Sequence, residues 1–117
     1  MNITTVKLDP KIWYCGQYNS LLLSINMDER YQCCLGIMAT QLGVPDSMLL
    51  DKGTLDGLSR NALQILPSGI SKIQEQKWGA LYKINDDQTP MSLQARVNYL
   101  NAECLKEEIP LRFTLKD

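Results

Sequence analysis

At 117 residues, with 44% hydrophobic residues and a formal net charge of −1, the chain reads as one domain able to bury a core, which excludes a disordered tail protein. Its 12 Lys and Arg are scattered and balanced by 13 Asp and Glu, so the clustered cations that hold phosphate polymers are missing and nucleic acid is a disfavoured partner. No segment reaches the ~18 apolar residues of a membrane span, and residues 1–6 lack the basic and apolar regions of a secretory signal, so the expected compartment is the cytosol, with no membrane partner.

Residues 3–8 are short and β-branched and predict a strand. Asp9-Pro10 predicts a helix start, because Asp caps free N–H groups and Pro suits the first turn. That helix would run through Ile12, Trp13 and Tyr14 and stop at Gly16. Residues 20–25 and 30–33, separated by Asn26-Met27-Asp28-Glu29, predict a β-hairpin, with a helix over 21–27 as the competing reading. A helix follows from Cys33 or Cys34 to Leu42, stopped by Gly43 and Pro45. It is apolar on nearly every side and should be the buried centre of the domain. Gly36 costs about 1 kcal/mol there against Ala, which is best explained by another backbone passing close by.

Residues 44–61 predict a loop with one helical turn near residues 48–50, and the most mobile surface of the protein. Residues 62–66 form a short apolar piece ended by Pro67, and Ser68 is placed to cap a helix over 69–84. Its stripe would be Ile70, Ile73, Lys77, Ala80, Leu81 and Ile84, with Trp78 beside it. Asn85-Asp86-Asp87-Gln88 breaks that helix, and Thr89-Pro90 and Ser92 open the last one. Leu93, Val97, Leu100 and Cys104 fall on one face of it, with Arg96, Asn101 and Glu103 off that face. Residues 111–115 alternate apolar and polar and predict a strand able to pair with residues 3–8. The expected fold class is α+β: a small, mainly helical domain with a short β-hairpin and a small sheet joining the N- and C-terminal strands.

Tyr31-Gln32-Cys33-Cys34-Leu35-Gly36-Ile37, with Ile84-Asn85-Asp86 and the helix opened by Ser92, resembles a set of short phage and prophage proteins. These share a C-C-L-G core, a downstream L-N-D segment and a closing helix. Ile12-Trp13-Tyr14-Cys15-Gly16-Gln17-Tyr18 is similar to their upstream segment. Ile84 stands where that set usually has Leu, and the closing helix meets its acidic and aromatic positions only in part. The resemblance implies a phage accessory protein in a bacterial host cytoplasm and supplies no mechanism.

The chain has no histidine, so a Ser-His-Asp triad, a Cys-His pair and a His-metal site are excluded. Cys15, Cys33, Cys34 and Cys104 have no C-x-x-C spacing and read as free thiols rather than zinc ligands. Cys33 or Cys34 at a helix N-terminus could be an activated nucleophile; the preferred alternative is a pair of small buried hydrophobes. Asn85-Asp86-Asp87 could offer oxygen ligands to a divalent cation, but the pattern of a calcium loop is missing and a helix stop explains it better.

Trp13, Tyr14, Tyr18 and Tyr31, near the cations Arg30 and Lys11, could stack a base, against the alternative of ordinary packing. Trp13, Tyr14, Tyr18, Arg30, Tyr31 and Asp86 are therefore the candidate ligand- or partner-binding residues, with no catalytic residue, cofactor or metal assigned. Three functions remain: a protein that binds and blocks a host or defence component, a sponge for a nucleotide-type ligand at a homo-oligomer interface, and an enzyme using a cysteine or the Asp86-Asp87 pair. The first is preferred because no catalytic set can be assembled without histidine.

Overall fold

The computed structural model describes residues 2–17, 20–73 and 75–117. The elements are β1 (Thr4–Leu8), β2 (Ser24–Asn26), β3 (Glu29–Tyr31), α1 (Cys34–Gln41), α2 (Asp46–Leu49), a 3-10 turn (Leu55–Gly57), α3 (Arg60–Ile65), α4 (Ser68–Ser71), α5 (Glu75–Asp86), α6 (Leu93–Lys106) and β4 (Leu111–Leu115). This is the α+β domain expected, with a two-stranded sheet of β1 and β4 and a separate hairpin of β2 and β3.

The strands from the two ends of the chain pair in parallel, Val6 beside Phe113 and Leu8 beside Leu115. Val6, Leu8, Leu111 and Phe113 point into the core, while Thr5, Lys7, Arg112 and Thr114 face solvent. Helix α1 lies against β1, and α6 packs on β4 and on α5. A two-stranded sheet has two open edges, and each is closed here by one carboxamide. Gln41 donates to the Thr5 carbonyl at 2.7 Å and accepts from the Lys7 N–H at 3.2 Å. Asn101 donates to the Phe113 carbonyl at 2.9 Å and accepts from its N–H at 2.7 Å. Each side chain satisfies backbone groups that would otherwise invite another strand.

Helix α1 is the buried centre: residues 34 to 39 are all buried. The Cys33 thiol accepts from the Gly36 N–H at its start, and Gly43, with φ 102°, turns the chain away at its end. A β-carbon at Gly36 would lie 1.9 Å from the Leu22 carbonyl oxygen, so the glycine is there because another backbone crosses the helix. The Gln32 amide fixes that crossing, donating to the carbonyls of Leu22 and Gly36 and to the Thr40 hydroxyl.

Several elements differ from expectation. Residues 9–16 form a single turn, not a helix. The Asp9 carbonyl accepts from Ile12 and Trp13, and the chain then runs extended alongside Gln32, with Tyr14 donating to the Gln32 carbonyl at 2.8 Å. The buried Trp13 indole N–H needs an acceptor, and the extended path delivers it to Asn85 at 2.7 Å. The hairpin is shorter than predicted and turns at Met27 and Asp28, both with positive φ, the geometry of a two-residue type I′ turn. The competing helix over 21–27 does not form.

Residues 44–61 are a connected run of short helices rather than a loose loop, because Val44, Leu49, Leu55 and Leu58 are buried and pin it to the core. The helix expected over 69–84 is two helices: α4 closes at Ser71, and α5 begins at Glu75 and continues through Asp86. Ser68 is the first residue of α4 rather than its cap. The buried stripe of α5 is Trp78, Leu81 and Asn85, spaced for one helical face. On α6 the Ser92 hydroxyl accepts from Ala95 as expected, but Leu93 is exposed and Arg96 is buried.

Candidate functional site

The polar centre of the molecule is the side chain of Asn85, which is fully buried and hydrogen-bonded on both ends. Its Oδ1 accepts from the Trp13 indole N–H at 2.7 Å and from the Cys34 backbone N–H at 3.0 Å. Its Nδ2 donates to the Tyr14 carbonyl at 3.0 Å, to the Ser20 hydroxyl at 3.1 Å and to Asp86 Oδ1 at 2.9 Å. The Ser20 hydroxyl in turn donates to Asp86. One amide thus joins residues 13–14, residue 20, the start of α1 and the end of α5.

Arg96 closes the same region from α6. Its Nη1 donates to the carbonyls of Ile84 and Asp87, both at 2.8 Å, which are among the acceptors a helix end leaves unpaired. A cation there also suits the negative end of the α5 dipole. Its Nε, buried, has no hydrogen-bond partner among the described residues. Gly16, with φ 74°, donates to the Asn85 carbonyl at 2.7 Å, and a β-carbon on it would come within 3.1 Å of Arg96 Nη2. The apolar spacing of α6 predicts Arg96 off the buried face, and the structure buries it at 5% exposure.

The candidate residues divide between this buried network and one surface. Trp13 is only 5% exposed and its N–H is committed to Asn85, so it offers no free ring face for stacking. Asp86 is half-buried and accepts from Ser20 and Asn85. Tyr14 and Tyr31 meet edge to face, ring centroids 5.9 Å apart, beside the hairpin. The Tyr31 hydroxyl donates to Glu29, a bond that raises its pKa. Arg30 is held by both Asp46 oxygens, at 3.2 and 3.0 Å, and its Nε reaches Gln32 Oε1. Tyr18 lies outside the described residues.

The hairpin surface continues to Met27, 91% exposed at the tip, and Ile25, half exposed on β2. Tyr14 and Trp13 are neighbours in the chain pointing opposite ways, so the network that buries Trp13 also sets the position of Tyr14 on the surface.

The thiols are arranged for burial. All four cysteines are free. Burial pushes the Cys33 thiol up to about 12 and Cys34 well above its usual value, overriding the lowering effect of the N–H groups at the start of α1. Cys104 is likewise raised to about 12 by burial. Asp87 accepts from the Thr89 N–H, which lowers its pKa and makes it a helix-stop residue. Asp86 and Asp87 border an open cleft of about 480 Å³ with Tyr82, Lys83 and Thr89. Among the described residues, no three His, Cys, Asp or Glu side chains converge to hold a metal ion. No helix among them is long and apolar enough to cross a membrane.

No family model matches the chain, and neither the curated proteins nor the solved structures contain a match to it.

Proposed function

We propose that this chain is a phage accessory protein that acts by binding, and that its hairpin, residues 24–31, with Tyr14 beside it, occupies and blocks a surface of a host or defence protein in the bacterial cytoplasm. The observation carrying this reading is the hairpin tip, where Met27 is 91% exposed in a left-handed conformation. An unbranched apolar side chain at that position gains nothing for the fold and adapts well to a partner's surface. The hairpin is anchored by the Arg30–Asp46 pair and the Gln32 amide, so little ordering is left for association. The phage setting rests on the C-C-L-G and N-D strings.

The nucleotide-sponge reading has weaker support, since Trp13 is enclosed and Arg30 is already paired. The cysteine-enzyme reading requires a thiolate, and burial disfavours one at Cys33 and Cys34.

The test is affinity capture from bacterial lysate, with and without nuclease, using the wild type and a Met27→Asp, Tyr14→Ala double variant. A protein retained by the wild type after nuclease treatment and lost with the variant is the expected result. Retention by both would sink the hairpin as the contact. Capture that vanishes with nuclease, or marked thermal stabilisation by a nucleotide, would replace a protein partner with a nucleic-acid or nucleotide one.

A further inference from the structure

At the opposite end of α5 from the Asn85 network, the 3-10 turn, α3, α4 and the start of α5 line a second, chemically different cleft of about 240 Å³. Leu55, Leu66, Ile70 and Trp78, all buried, form its inner wall. The charged groups lining it are two exposed carboxylates, Asp56 and Glu75, and neither forms an ion pair among the described residues. The position of the Asp56 turn is set from below, because the Tyr82 hydroxyl accepts from the Leu55 N–H at 2.8 Å.

We propose that this cleft binds a small organic cation, an apolar body of about one ring carrying an ammonium group. An apolar body leaving water for the leucine, isoleucine and indole wall supplies the main driving force. The ammonium is drawn to the two carboxylates at the rim. A neutral ligand of the same shape keeps only the burial term, and an anionic one is repelled. The cleft is smaller than the ~300–1,000 Å³ typical of sites for drug-sized ligands, which favours a one-ring amine over a nucleotide. The site shares no residue with the hairpin surface and stands apart from the reading given above.

The experiment is a calorimetric or NMR titration of the full chain with 2-phenylethylamine, 2-phenylethanol and 3-phenylpropionate. The expected order is amine over alcohol by roughly fivefold to tenfold, the scale of two partly solvated ion pairs, with no measurable binding of the propionate. Replacing both carboxylates, Asp56→Asn with Glu75→Gln, should bring the amine down to the level of the alcohol. Ser71→Trp, an exposed position at the mouth of the cleft, should remove binding of both while the unfolding midpoint holds. Equal binding of all three probes, a preference for the amine that survives loss of both carboxylates, binding that survives the blocked mouth, or no binding of the amine at millimolar concentration would each overturn the proposal.

Discussion

Asn85 Oδ1 accepts the backbone N–H of Cys34 at 3.0 Å, across 51 residues of chain. The C-C-L-G string opens α1 and the N-D string closes α5, so the two most distinctive strings of the sequence meet in one hydrogen bond. Their pairing has a structural cause: the end of one helix is fastened to the start of another through a side chain that also holds Trp13, Tyr14 and Ser20. Replacing Asn85 with Leu leaves the buried Trp13 and Cys34 N–H groups without acceptors and should cost about 3–5 kcal/mol in urea denaturation. Asn85→Asp should be no milder, because a carboxylate cannot donate to the Tyr14 carbonyl and would face Asp86. A loss below ~1 kcal/mol for either variant would show that the network is not the fastening described.

Two glycines on helices should respond in opposite directions. Gly36→Ala drives a methyl into the Leu22 carbonyl at 1.9 Å and should destabilise by about 3 kcal/mol or prevent folding. Gly79, in the middle of α5, has no atom of another described residue beyond its own helix backbone within 4 Å of where a β-carbon would stand. Gly79→Ala should therefore stabilise by ~0.5–1 kcal/mol through helix propensity alone. Thermal melts of the two variants beside the wild type decide both.

The thiols give stability a pH dependence of defined sign. Cys33 and Cys104 are raised to about 12 and Cys34 is also raised, so the folded chain holds these protons more tightly than the unfolded one. Their contribution is present in full below the unfolded thiol pKa of ~8.5 and is lost as pH climbs through the folded values. The urea midpoint should be flat in this respect from pH 6 to 8, then fall from roughly pH 9 toward 12. Iodoacetamide at neutral pH should label Cys33 and Cys34 far more slowly in native protein than in urea, read by mass spectrometry. Fast native labelling at either would restore a reactive thiol.

The carboxamides on the sheet edges should prove protective. Asn101→Ala removes two half-buried hydrogen bonds to Phe113 and should cost about 1–2 kcal/mol. Gln41→Ala should cost less, since water can replace its exposed bonds to Thr5 and Lys7. The double variant, with both edges bare, should show self-association by light scattering. Unchanged scattering and an unchanged midpoint would argue that the edges need no cover.

At the hairpin tip, Met27→Asn with Asp28→Gly puts residues suited to positive φ where φ is 52° and 68°. The pair should raise stability by about 1 kcal/mol and at the same time weaken partner capture, since Met27 is the apolar contact. Stability and binding moving in opposite directions would mark the native turn as shaped for association. A gain in stability with capture intact would move the contact elsewhere.

Local rules were enough for elements whose signals lie within a few residues. The Ser92 cap, the Gly43 stop, a hairpin turning within residues 26–29 and the alternation of residues 111–115 are all legible, because capping, turn composition and period are set by near neighbours. Gly36 even announced a crossing backbone without saying which one. The path of residues 9–16 was not legible, because the helix start at Asp9-Pro10 is overridden by the need of the Trp13 indole for an acceptor 72 residues away.

The apolar spacing of α6 sets Arg96 off the buried face, and nothing near it in sequence shows that the end of α5 presents its carbonyls there. The same limit applies to the candidate site. Chain order placed Trp13, Tyr14, Tyr31 and Asp86 within reach of a ligand, whereas the fold buries Trp13, ties Asp86 into the network and leaves Tyr14 and Tyr31 beside the hairpin. Burial of a polar group depends on partners far along the chain, and only the folded chain brings them within hydrogen-bond distance.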